Sequence, residues 1–96
     1  MPRLEAFSVP GLDLYFNSLD HLPPHFHARH PGEWEIRVYF LVSGAKLAYD
    51  LKWSRKKRGV PASMVEALNA AVKTNRAQLL REWEAKVSSG TAEIDE

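Results

Sequence analysis

From Trp34 to Val42 the chain alternates strictly. Trp34, Ile36, Val38, Phe40 and Val42 fall on one side, and Glu35, Arg37, Tyr39 and Leu41 on the other. Successive side chains of an extended backbone face opposite ways, so this run predicts a strand with one apolar face. A second run, from about Lys46 to Trp53, repeats the pattern: Leu47, Tyr49, Leu51 and Trp53 alternate with Lys46, Ala48, Asp50 and Lys52. Ser43-Gly44-Ala45 between them supplies the glycine that a short hairpin turn needs. Two such strands make a sheet whose apolar face must be covered by something else.

The C-terminal half offers the cover. Pro61 suits a helix start. Met64, Val65, Leu68, Val72, Leu79, Leu80, Trp83 and Val87 recur at helical spacing. Lys73-Thr74-Asn75-Arg76 interrupts the stripe, which predicts either two helical segments or one helix bent there, with Thr74 or Asn75 as a cap. Ser88-Ser89-Gly90 ends the helix, and residues 88–96 are expected to fray. Upstream, Leu12, Leu14 and Phe16 share one face of a further short strand after a break at Pro10-Gly11, and Asn17 to Asp20 reads as a turn. The expected fold is α+β: a small antiparallel sheet of three to four strands with the C-terminal helix, kinked or in two pieces, packed on one face. Residues 1–96 form a single domain, with Trp34, Ile36, Val38, Leu47, Leu51, Leu68, Leu79 and Trp83 in the core.

Ninety-six residues suit one domain. A net charge of +1 creates no global field toward nucleic acid or membrane. The absence of cysteine excludes disulfides and thiolate metal sites and fits a reducing compartment. No apolar run approaches a membrane span, and the first residues lack the apolar core of a secretory signal. A cytoplasmic protein that does not engage a membrane is expected.

Chemistry concentrates in His21-Leu-Pro-Pro-His-Phe-His-Ala-Arg-His30, which holds all four histidines. Pro23-Pro24 restricts the backbone to extended geometry. His25 and His27 should therefore project together, with Phe26 facing away. Three readings follow. Neutral imidazoles ligate transition metals, and zinc or nickel could be held by His25 and His27 with a third ligand from His21, His30, Asp20 or Glu33. Alternatively His25 and His27 form a catalytic acid–base pair, because imidazole titrates close to neutral pH. In the third reading the rings are structural, bonded to carbonyls around a tight turn. Arg29 and the run Arg55-Lys56-Lys57-Arg58 are candidates for holding phosphate, as on RNA or DNA; the run also reads simply as a solvated loop.

The segment from His21 to Ala28, with its Pro-Pro-His-Phe-His-Ala core at Pro23 to Ala28, resembles a family of small bacterial proteins, domain of unknown function 4160. The resemblance extends from a preceding aromatic-containing strand, here Leu12 to Phe16, to a Leu-Leu-x-x-Trp pattern, here Leu79 to Trp83. The stretch from Lys52 to Gly59 is more basic than is usual in the family. The resemblance marks Pro23, Pro24, His25, Phe26 and His27 as defining positions and assigns none of them a role. It also implies a toxin-like component of a toxin–antitoxin-like module, acting on RNA or on a cognate antitoxin-like protein through the histidine cluster. A non-catalytic transition-metal-binding module and a protein- or DNA-binding adaptor with structural histidines are the alternatives. Open sheet edges are compatible with a homodimer.

Overall fold

The computed structural model describes residues 2–42, 44–57 and 59–87. Four strands, β1 (Asp13–Tyr15), β2 (Phe26–His30), β3 (Trp34–Val38) and β4 (Tyr49–Ser54), precede one helix, α1 (Ala62–Lys86). The sheet is an antiparallel meander in the order β1-β2-β3-β4. The fold is therefore α+β. The expected frayed tail from Ser88 lies outside the described residues.

Each connection has a local cause. Gly11, at φ +85°, takes the left-handed conformation in the turn before β1, where the Leu12 amide donates to the Val9 carbonyl. Gly32, at φ +79°, does the same between β2 and β3, where the Glu33 amide donates to the His30 carbonyl. The N-terminal arm runs beside β1: the Leu4 amide donates to Leu14 and the Phe16 amide to Pro2. Lys86 fastens the arm to α1, donating to the Arg3 carbonyl and to Glu82. The β1 edge is thus partly covered, and β4 forms the other edge of the sheet.

The pairing register sorts the side chains onto two faces. Leu14, Phe26, Ala28, Trp34, Ile36 and Val38 share one, and all are buried. They belong to a single apolar cluster that also takes in Phe16, Phe40, Leu47 and the helix residues Leu68, Val72, Leu79 and Trp83. Asp13, Tyr15, His27, Arg29, Glu35, Arg37 and Asp50 share the opposite face.

Three expectations are corrected. First, Leu51 is 51% exposed and does not belong to the core. Glu35 pairs with Trp53 but Ile36 pairs with Leu51, which leaves Lys52 as the extra residue of a β-bulge. The bulge breaks the period-two phase and turns Trp53 to the polar face beside Glu35. Leu51 stays opposite Ile36, and its exposure goes with its place on the edge strand β4. Second, β3 ends at Val38, and a longer connection replaces the tight hairpin; Ser43 lies outside the described residues. Helix side chains draw that connection away from the ladder, with Arg76 Nε donating to the Phe40 carbonyl and Asn69 Nδ2 to the Ala45 carbonyl. Third, the two-segment alternative gives way to the single helix: α1 is one element through Lys73 to Arg76. Thr74 Oγ1 and Asn75 Nδ2 donate to the carbonyls of Ala70 and Ala71 four residues back, so neither caps a second helix. No helix among the described residues is long and apolar enough to cross a membrane.

Candidate metal centre

The Leu22–Pro23 peptide bond is cis, and His25 follows directly before β2 begins. His25 and His27 project together as the alternation requires, with ring centroids 5.2 Å apart, while Phe26 is fully buried in the apolar cluster. Both rings are buried and both converge on Asp20. His27 Nε2 lies 2.9 Å from Asp20 Oδ2 and His25 Nε2 lies 3.5 Å from the same oxygen. Among the described residues, Asp20, His25 and His27 form the group whose ligand atoms all lie within 4.8 Å of one another. Bonds of about 2.0–2.1 Å in a tetrahedral site put ligand atoms about 3.3–3.4 Å apart, a spacing that the two contacts to Asp20 already approach.

The second nitrogens of the two rings differ in what they meet. A carbonyl can only accept, so the 2.9 Å contact between His25 Nδ1 and the Pro23 oxygen places a proton on Nδ1. In the neutral ring the Nε2 lone pair then faces Asp20. His27 is arranged the other way round. Its Nε2–H donates to Asp20, and its buried Nδ1 has no hydrogen-bond partner, with Glu35 Oε2 3.6 Å away. Each neutral ring thus turns a bare lone pair toward a carboxylate. A cation among the three ligand atoms would remove both conflicts: His25 would keep its Nδ1–H, while His27 would carry its proton on Nδ1, where Glu35 could accept it. That is the carboxylate–histidine–metal arrangement by which outer groups fix ligand rings.

Glu35 is only 5% exposed and anchors the polar face. Its carboxylate accepts from Tyr15 Oη at 2.6 Å, from Lys52 Nζ at 3.4 Å and from Trp53 Nε1 at 3.3 Å. The Tyr15 ring stacks on His27 at 4.9 Å, closing the site from that side. Burial works to raise the Glu35 pKa, but the Tyr15 hydrogen bond, the Lys52 charge and the Trp53 donor outweigh it and hold the carboxyl below its ordinary value. Burial depresses the His27 pKa, and the bond to Asp20 only partly compensates.

Both shifts act in the same direction. In metal-free buffer, unfolded His27 takes up a proton below about pH 6.5, whereas the folded ring stays neutral further down. The unfolded Glu35 carboxyl protonates near about pH 4.3, above its folded value. The unfolded state therefore binds more protons in both windows. Stability in urea, followed by tryptophan fluorescence, should decline as pH falls below about 6.5 and again below about 4.5, and His27→Gln should flatten the first step. A stability maximum near pH 5 would contradict this assignment.

The other sequence candidates disperse. His21 is exposed on the rim of a hollow of about 250 Å³ that is also lined by Asp20, Leu22, Pro23, His25, Arg37 and Tyr39. His30 sits at the far end of β2, roughly 16 Å from His25 at about 3.3 Å per residue. There it lines a larger cavity of about 430 Å³ with Trp34, Lys56 and Met64, away from the Asp20 cluster. Arg29 pairs with Asp13 at 3.0 Å. Arg55 faces Glu33 at 3.7 Å beyond the same far end, and Lys57 is exposed. Arg58 lies outside the described residues. Sequence alone does not single out Glu35, Tyr15 and Arg37; their signal is their place on the non-core side of β1 and β3.

Fold and site together define a small α+β protein with a histidine–carboxylate cluster on the polar face of its sheet. The chain belongs to the domain of unknown function 4160 family, whose profile matches residues 11–84. No curated protein and no solved structure matches it.

Proposed function

We propose that this protein binds one divalent transition-metal ion, with zinc or nickel as the natural probes, through Asp20, His25 Nε2 and His27 Nε2. The observation that carries the proposal is the buried His27 Nδ1, unpartnered yet 3.6 Å from a carboxylate that a metal-bound ring would donate to. Two imidazoles and one carboxylate suit zinc, nickel, cobalt and iron better than magnesium or calcium. Three protein ligands leave room for a water or a substrate atom, as in catalytic rather than closed structural sites.

The toxin-like reading, with RNA or a cognate protein as target, would use this same centre. Arg55 to Lys57 would not serve it, since they lie beyond the opposite end of β2 and β3.

Titration calorimetry of the purified chain at pH 7.5 should give one zinc per protein. The double variant His25→Ala, His27→Ala should lose at least about a hundredfold in affinity, and Asp20→Asn about ten- to a hundredfold. Cobalt substitution should produce the visible bands of a four- or five-coordinate ion. The proposal fails if neither zinc, nickel nor cobalt binds stoichiometrically, or if the folded double variant binds as tightly as the parent.

A further inference from the structure

The hollow beside the cluster has a composition that the metal ligands do not explain. Its lining includes Asp20, His25, Arg37 and Tyr39, and the His25 and Tyr39 rings lie 5.5 Å apart. Arg37 projects from the strand position paired with His27. Its ion pair with Asp50 is 4.0 Å long, beyond hydrogen-bond range. The Tyr39 hydroxyl, by contrast, is committed to Asp50 at 2.6 Å. Asp50 thus holds Tyr39 tightly and Arg37 loosely.

Charge decides what such a hollow admits. Without an ion, Asp20 and Arg37 cancel, and Asp50, beside Tyr39 and Arg37, adds a negative charge, so an anion gains nothing by entering. A divalent ion on Asp20, His25 and His27 changes the sum to about +1 with Asp50 included. The hollow is then lined by two positive poles, the ion and the guanidinium. A tetrahedral oxyanion can offer one oxygen to each pole and still present others to Arg37 in a forked contact, whereas a carboxylate has only two oxygens to divide. About 250 Å³ is below the ~300–1,000 Å³ of sites that enclose drug-sized ligands, so the hollow takes a head group rather than a whole molecule. His21 and Leu22, exposed at the rim, would meet whatever extends from it.

We infer that the metal-loaded hollow is a phosphoryl-binding site, with Arg37 as the residue that grips the non-bridging oxygens of a phosphate ester. The inference rests on the metal reading above and deepens it by naming the ligand class. Arg37 acts as a binding residue here, independent of the metal ligands themselves.

The test uses the full chain loaded with cobalt or zinc, and inorganic phosphate, methyl phosphate and acetate as probes. Phosphate should perturb the cobalt spectrum and bind in calorimetry with one-to-one stoichiometry. The metal-free protein should bind it at least about tenfold more weakly. Arg37→Met should bind zinc within about threefold of the parent while losing at least about tenfold in phosphate affinity, and Arg37→Lys should recover only part of the loss. Methyl phosphate should bind comparably to phosphate, and acetate more weakly. Acetate binding as tightly as methyl phosphate overturns the phosphoryl assignment. So does phosphate affinity that is unchanged in Arg37→Met, or an adventitious ion that binds equally with and without metal. If zinc binds and phosphate does not, this inference alone falls; if zinc itself does not bind, both readings fall together.

Discussion

Glu35→Ala should destabilise the protein by about 3–5 kcal/mol, the range found when one partner of a buried charged network is removed. The substitution strips the acceptor from the Tyr15 hydroxyl and the Trp53 indole at once. Lys52 is half in solvent and can turn outward, but Tyr15 is buried and cannot. Glu35→Gln separates the packing from the charge. The amide has the same size and its oxygen still accepts from Tyr15, so the stability loss should be only about 1–2 kcal/mol. Its effect on metal should nevertheless be large: without the carboxylate facing Nδ1, His27 is a poorer ligand, and zinc affinity should fall about ten- to a hundredfold. Tyr15 supplies an independent reading. Its phenol is held well above the ordinary value, first by burial and then by the hydrogen bond and charge of Glu35, so absorbance titration of Glu35→Gln should show it ionising at lower pH. Urea midpoints for the alanine variant within about 0.5 kcal/mol of the parent, or unchanged zinc affinity in the glutamine variant, would remove Glu35 from this role.

What the sequence reveals of this arrangement depends on the range of the interaction. The strand at Trp34 and the helix from Ala62 are legible because each follows from side-chain periodicity alone. The pairing of His25 with His27 is legible for a similar reason, since extended geometry fixes i and i+2 on one side. Leu51 is misplaced because periodicity fixes its face but not its cover: it stays opposite Ile36 on the edge strand β4 and is left half exposed. The bulge at Lys52, which depends on how β4 meets β3, turns Trp53 to the other face. The end of β3 is hidden because it is set by Arg76 and Asn69, which reach carbonyls 36 and 24 residues away. Asp20 is one of four third-ligand candidates until the turn at Asn17 to Asp20 is folded. Glu35 and Arg37 need the β2–β3 register, which places Arg37 directly opposite His27 and Glu35 two residues along. A basic run such as Arg55 to Lys57 attracts notice by composition, and only the register shows that it lies at the opposite end of the sheet from His25 and His27.

Trp83 ties the helix to the site, and its truncation should show that the two are energetically one unit. The indole is buried, with its ring 6.2 Å from Phe16 in the apolar cluster and 5.7 Å from His25. Trp83→Ala leaves a large cavity between them and should cost about 3–5 kcal/mol, a sizeable part of the roughly 5–15 kcal/mol available to a small domain. Trp83→Phe keeps an aromatic wall beside His25 and should cost about 1–2 kcal/mol, with little change in zinc affinity. The metal reading adds a sharper expectation. An ion that binds only the folded chain contributes about 2.7 kcal/mol when free metal is a hundred times its Kd. Saturating zinc should therefore restore most of the urea midpoint lost in Trp83→Ala, and should restore nothing when His25 and His27 are also replaced by alanine. An alanine variant as stable as the parent would show that Trp83 does not carry the helix, and a midpoint indifferent to zinc in both backgrounds would show that the histidine cluster holds no ion.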